Sequence, residues 1–294
     1  VATVGMVADI VRNIGGPQMD VRALMGPGVD PHLYKATRDD VRAILDADVV
    51  FYVGLMLEGK MNDTLEKLSK ERPVLAVTRG IERQKLLMSE GESGHVDPHV
   101  WMDVLLWSEC VDAVVQGLSQ ADPSRVDAFQ AQADQYRDRL LRLHDYGKRV
   151  MATVPEERRW LITSHDAFRY LGRAYGVQVQ GVQGISTESE AGLQHINALV
   201  DLLVEKQIRS VFVESSVSTK SLMAIIEGAR ARGHDVQVGG ELFSDAMGQR
   251  DTYEGTFEGM LDHNLTLIAR GLGGSAPDQG LNARLSEQGR GAKP

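Results

Sequence analysis

The tripeptide Asp-Pro-His occurs twice in this chain, as Asp30-Pro31-His32 in GPGVDPHLY and as Asp97-Pro98-His99 in GHVDPHVWMD. Each histidine follows a proline in a turn that leaves a predicted strand. Proline fixes its own φ and disfavours the helical region for the residue before it, so each imidazole stands on a stiff corner. That suits a metal ligand better than a mobile loop does. Two further candidates come later, His165 in LITSHDAF and Asp245 in GGELFSDAMG. Imidazole suits zinc or manganese, and a carboxylate supplies charge neutralisation. His32, His99, His165 and Asp245 therefore read as one coordination shell. Three imidazoles and one carboxylate close that shell, whereas catalytic zinc usually keeps an open position for water. With no obvious general base beside them, the set points to a binding protein rather than to the competing zinc-dependent hydrolase.

The elements that must present these residues are legible as βα alternation. VATV, residues 20–25, DVVFYVG (48–54) and PVLAV (73–77) read as strands, with helices at MVADIVRNI, DDVRAILDA and DVLLWSECVDAVVQGLS. From Asp122-Pro123, apolar or small residues recur at Val126, Phe129, Ala133, Tyr136, Leu140, Leu143, Gly147 and Val150. These alternating steps of three and four predict one amphipathic helix of about 45 Å, at 1.5 Å per residue. Coiled-coil dimerisation and an intramolecular strut both fit this stripe; the strut is favoured because βα alternation resumes at once. RWLITS, VQVQGV, RSVFVES and DVQVGG then read as strands separated by helices, the last helix being YEGTFEGMLDHNLTLIARGL. The expected architecture is α/β: two Rossmann-like lobes with parallel sheets, joined by one long backbone helix. The boundaries are 1–121 for the N-terminal lobe, 122–153 for the connecting helix and 154–272 for the C-terminal lobe. Residues 273–294, polar and rich in glycine, are expected to form a disordered tail. In open parallel sheets ligands gather beyond the carboxyl ends of the strands, which is where His32, His99, His165 and Asp245 are predicted to fall.

Other chemistry-bearing residues carry less. His144, His195 and His263 fall within predicted helices and His234 in a turn. His95 precedes His99 by four, but Pro98 between them and the lack of a following glutamate argue against a helical zinc pair. His95 is kept as a candidate loop ligand. Glu214, Asp103 and Asp166 are candidate acceptors for an imidazole N–H; for Asp103 and Asp166 a helix N-terminal charge is the alternative. GLMLEGKM (54–61) nearly matches a phosphate-binding loop, but Met61 has no hydroxyl for Mg²⁺. No GxGxxG or GxSxG occurs. The single cysteine, Cys110, excludes an intramolecular disulfide and reads as a small buried apolar side chain. A net charge of −9 argues against nucleic acid and anionic membrane surfaces as partners. No apolar run approaches the ~20 residues that span a bilayer. The chain opens at Val1 on strand-like VATVGM, and is read as a mature or trimmed chain.

Together, GPGVDPHLY, DPHVWMD, ITSHDAF, VFVESS and GGELFSDAMG resemble the metal-binding solute-binding proteins of ABC importers, the TroA-like or cluster A-I group for zinc and manganese. The resemblance runs over residues 1–272. It implies two lobes on one backbone helix, with His32 and His99 as ligands from the first lobe and His165 and Asp245 from the second. It implies Zn²⁺ or Mn²⁺ as transported ligand, with zinc ahead, and no organic cofactor. It further implies delivery to a cognate ABC permease, a monomer, and a place in the periplasm or lipid-anchored on the outer face of the cytoplasmic membrane. Many manganese or iron binders of the group carry glutamate at the third ligand position, where this chain has His165. Zinc members often carry a long His/Asp-rich loop before the second motif, where this chain has only LLMSEGESGH. A binder of chelated metal, such as a siderophore or corrinoid, is the other bilobal reading. It needs an aromatic or arginine-lined cleft, and this sequence is poor in aromatics.

Overall fold

In the computed structural model, residues 1–89 and 94–286 are described; residues 90–93 of the short segment before the second Asp-Pro-His lie outside that set. Internal contacts divide the chain into two compact units, Val1–His144 and Asp145–Pro294.

In the first unit the apolar runs at 48–54 and 73–77 yield β1 (Val50–Tyr52) and β2 (Val74–Ala76), paired in parallel with Phe51 opposite Leu75. The strands expected at VATV and at 20–25 are corrected: Ala2 and Ala23 each contribute only an isolated parallel bridge, Ala2 to both Ala23 and Phe51. The reason is local. Helix α1 (Gly5–Gly15) already begins at Gly5, and Gly26-Pro27-Gly28 breaks the second segment, since proline cannot donate to a ladder and glycine weakens it. Helix α2 (Arg38–Asp46) starts on a capping box, in which Thr37 Oγ1 accepts from the Asp40 amide at 3.2 Å and Asp40 Oδ2 from the Thr37 amide at 2.8 Å. Such reciprocal bonds satisfy two otherwise orphaned donors. Helix α3 (Asn62–Leu68) has no counterpart among the elements expected from the sequence. Helix α4 (Val104–Ala121) is capped by Asp103, whose Oδ1 accepts from Leu105 and Leu106.

Helix α5 (Val126–Ala152) is the predicted long helix, about 40 Å at 1.5 Å per residue. The unit division falls inside it, between His144 and Asp145. Phe129, Ala133, Tyr136, Leu140, Leu143, Gly147 and Val150 are buried, whereas Val126, its first residue, is 40% exposed. The Tyr136 hydroxyl lies 3.4 Å from Asp9 Oδ2 on α1, and Arg139 bonds Asn13 on the same helix. Further along, the Tyr146 hydroxyl meets Thr266 Oγ1 at 2.6 Å. The apolar stripe is thus buried within the chain.

In the second unit β3 (Trp160–His165), β4 (Gln178–Gln183), β5 (Ser210–Glu214) and β6 (Gln237–Leu242) form one parallel sheet in the order β4-β3-β5-β6. Helices α6 (Arg169–Tyr175), α7 (Leu193–Glu205), α8 (Lys220–Ala231) and α9 (Phe257–Gly271) link and follow the strands. A core of Ile162, Val182, Leu199, Leu203, Val211, Leu222 and Ile225, all buried, welds α7 and α8 to the sheet. Helix α6 starts only at Arg169, because His165 still belongs to β3 and the Ala167 amide turns back to its carbonyl at 3.0 Å. It ends on Gly176 in the left-handed region, φ 72° and ψ 42°.

The disordered tail expected over 273–294 is corrected for its first part. The Leu281 amide donates to both oxygens of buried Asp262, at 2.8 and 3.0 Å. The Ser286 amide donates to Glu254 at 2.7 Å, and Leu285 is buried. Hydrogen bonds to buried carboxylates, invisible in a polar composition, hold this stretch; residues 287–294 lie outside the described set.

Candidate metal centre

In the first unit both Asp-Pro-His repeats fold into the same turn. The Asp30 carboxylate accepts from the His32 amide at 2.8 Å, and Asp97 accepts from the His99 amide at 3.0 Å. An aspartate bonding the backbone two residues on, across a φ-locked proline, makes a rigid corner. Asp97 Oδ1 also accepts from the His99 ring at Nδ1, 2.8 Å away, and both side chains are wholly buried. With Nδ1–H donated, Nε2 is the nitrogen left that could hold a metal, and the carboxylate would raise its basicity. The turn brings His32 and His99 together, with ring centroids 5.5 Å apart. The far side of His99 is walled by Trp101, edge-on at 5.2 Å.

In the second unit the strand order reverses direction at β3 and β5, the switch point where parallel sheets present ligand sites. His165 ends β3 and Glu214 ends the adjacent β5. Glu214 grips His165 twice: Oε1 accepts from its amide at 2.8 Å and Oε2 from Nδ1 at 2.5 Å. Gly181 of β4 allows the close approach on the other flank, since a Cβ there would sit 2.5 Å from the His165 carbonyl carbon. Asp245 follows β6 on a loop clamped by Asn264 of α9, which accepts from the Phe243 amide at 3.0 Å and donates to its carbonyl at 2.7 Å. This places Asp245 Oδ2 3.2 Å from His165 Nε2. Two ligands about 2.0–2.1 Å from one tetrahedral zinc stand about 3.3 Å apart, so the separation fits a shared ion. Burial disfavours charge on His165, yet Glu214 and then Asp245 outweigh it and hold the imidazole well above its ordinary pKa. A cation in place of that proton would meet the same negative field.

The profile of the family described as zinc-uptake complex component A, periplasmic (ZnuA), matches residues 1–271. The chain belongs to the ZnuA family. Among its relatives, the manganese-binding lipoprotein MntA of Bacillus subtilis is 49% identical over 271 residues, covering 92% of this chain and 88% of the relative. The zinc-binding protein TroA of Treponema pallidum is 45% identical over 273 residues, with the same coverage. The solved structure of the periplasmic zinc-binding protein TroA from Treponema pallidum superposes with a TM-score of 0.89 at 44% identity, covering 92% of this chain and 97% of that one. These matches establish the TroA-like α/β fold expected from the motifs.

Within this ZnuA-family chain, His32 pairs with His99 and His165 pairs with Asp245. Of the predicted imidazole acceptors, Glu214 takes that role. Asp103 instead caps α4, and Asp166 lies 3.8 Å from Arg169. Sequence reasoning misses Asp97 as the acceptor that orients His99, although it stands inside the motif; the two-residue spacing of an Asx turn is the available signal. His95 is exposed beside the antiparallel bridge Met88–Val96. His195, His234 and His263 each direct Nε2 to a backbone carbonyl, of Gly181, Ile208 and Glu241 at 3.0, 2.6 and 2.8 Å. Those contacts are structural. Cys110 is buried, and burial pushes its thiol far above the ordinary range, so it is inert.

Proposed function

We propose that the chain captures Zn²⁺ or Mn²⁺ outside the cytoplasmic membrane through His32, His99, His165 and Asp245, and hands it to a cognate ABC permease. It acts as a monomeric binding protein rather than as an enzyme. The observation that carries this reading is that each unit offers a pair of buried ligand side chains, in each of which one imidazole is aimed by a carboxylate on its Nδ1. The relatives support it by name: one manganese-binding lipoprotein and one zinc-binding protein, the latter also described as periplasmic. Among the described residues no helix is long and apolar enough to cross a membrane.

Monodentate Asp245 completes a tetrahedron suited to Zn²⁺, whereas a bidentate carboxylate admits five-coordinate Mn²⁺. Raw affinity favours zinc by the Irving–Williams order, so manganese capture depends on geometry and supply. Protein purified without added metal should carry about one equivalent of a transition metal by elemental analysis, and His99→Ala or His165→Ala should abolish it. Competition between the two ions then ranks them. A chain that carries no metal and binds neither ion on titration refutes the reading.

A further inference from the structure

The segment GLMLEGKM, which imitates a phosphate-binding loop, is built around a carboxylate. Glu58 is completely buried. Its Oε1 accepts from the Val53 amide at 2.6 Å and from Thr3 Oγ1 at 2.8 Å, and its Oε2 from the Gly54 amide at 3.2 Å. The loop it closes holds Gly54, Leu55, Met56 and Gly59 at φ 86°, 54°, 69° and 45°. Two of those are not glycine, and side-chain-bearing residues stay in the left-handed region only where their surroundings over-determine it. Thr78 Oγ1 adds a bond to the Val53 carbonyl at 2.7 Å, pinning the loop's root.

What this loop supports is the first Asp-Pro-His corner. A Cβ on Gly59 would lie 2.6 Å from the His32 carbonyl oxygen and 3.7 Å from its Cα. The bare Cα of Gly59 is therefore the floor under the His32 backbone, and Glu58, its neighbour in sequence, fixes the height of that floor. His99 and His165 are aimed through their rings by Asp97 and Glu214; this support reaches His32 through its main chain.

We infer that Glu58 is a positioning residue for metal binding: it sets where His32 stands without itself contacting the ion. This rests on the reading of His32 as a ligand. The test measures Zn²⁺ affinity by chelator competition, together with the visible spectrum of the Co²⁺-loaded protein, in the parent and in Glu58→Gln, Gly59→Ala and His32→Ala. The first substitution keeps the side-chain volume but turns an amide NH₂ toward backbone donors, and an alanine methyl in the second would push on His32 directly. Both variants should bind Zn²⁺ at least roughly tenfold more weakly, with far-UV circular dichroism unchanged. Their Co²⁺ spectra should move in the same direction as that of His32→Ala. If Glu58→Gln does not fold, Thr3→Val, which removes one hydrogen bond from the Glu58 carboxylate, takes its place in the same comparison. Parental affinity in the folded variants overturns the inference, as does weaker binding with an unaltered Co²⁺ spectrum. A parent that binds no metal overturns instead the reading of the site on which it rests.

Discussion

The two units solve one problem, how to aim a buried imidazole, by opposite means. In the first, the carboxylate that orients His99 is Asp97, two residues earlier in the same turn. In the second, the carboxylate that orients His165 is Glu214, 49 residues later on a neighbouring strand. The local device needs only a proline-stiffened corner and is complete as soon as the turn forms. The distant one exists only when β3 and β5 are paired, so it makes the aim of His165 and sheet integrity the same event. The His165–Asp245 pair of the second unit should therefore be the part where metal affinity and folding stability move together.

Glu214→Ala should break this comparison most severely. It strips His165 of both contacts with Glu214, leaving Asp245 as its remaining carboxylate neighbour, and breaking such a buried charge pair costs about 3 kcal/mol of metal-free stability. Urea unfolding should report that loss, and chelator competition should show an affinity fall of roughly 10–100-fold. Asp97→Asn separates the two properties. Asparagine preserves the turn acceptor but not the negative charge, so affinity should fall roughly tenfold while stability drops by only about 1 kcal/mol. Equal stability losses in the two variants would contradict the distinction between a local and a sheet-borne device.

The smallest effect concerns acid. His263 of α9 is held neutral: burial pushes its pKa below the ordinary value, with the bond to the Glu241 carbonyl and nearby Glu254 opposing in part. A depressed folded-state pKa means that the unfolded chain takes up a proton before the folded one does. Its contribution is therefore intact above the ordinary value of about 6.5 and declines as the pH falls toward the folded value. One proton gives at most about 1.4 kcal/mol per pH unit. His263→Gln keeps a donor at the same reach and should flatten that part of the acid-side slope in melts of the metal-free protein. An unchanged slope would assign the acid sensitivity to other groups.

How much can be read beforehand follows the same local-versus-distant line. The α5 stripe from Phe129 to Val150 is legible because helical period is written in consecutive residues, and only Val126, at the exposed first turn, departs from it. The four ligand candidates are legible because proline corners and strand ends are local signals. The Thr3–Glu58 bond is not, since it joins residues 55 apart. Nor can composition show that Ala2 and Ala23 give isolated bridges rather than strands, because that depends on how soon α1 starts. Helix α3 is hidden behind the resemblance of its preceding loop to a nucleotide motif.

The carboxylate of Asp262 has a practical consequence for anyone trimming the chain. The family match stops at residue 271, which makes the end of α9 look like a natural place to cut. Yet Asp262, completely buried within that helix, receives the Leu281 amide on both oxygens. Removing the last stretch would take that amide from a buried carboxylate and leave it the Tyr253 and Thr266 hydroxyls, so the shortest version worth producing runs at least through Ser286.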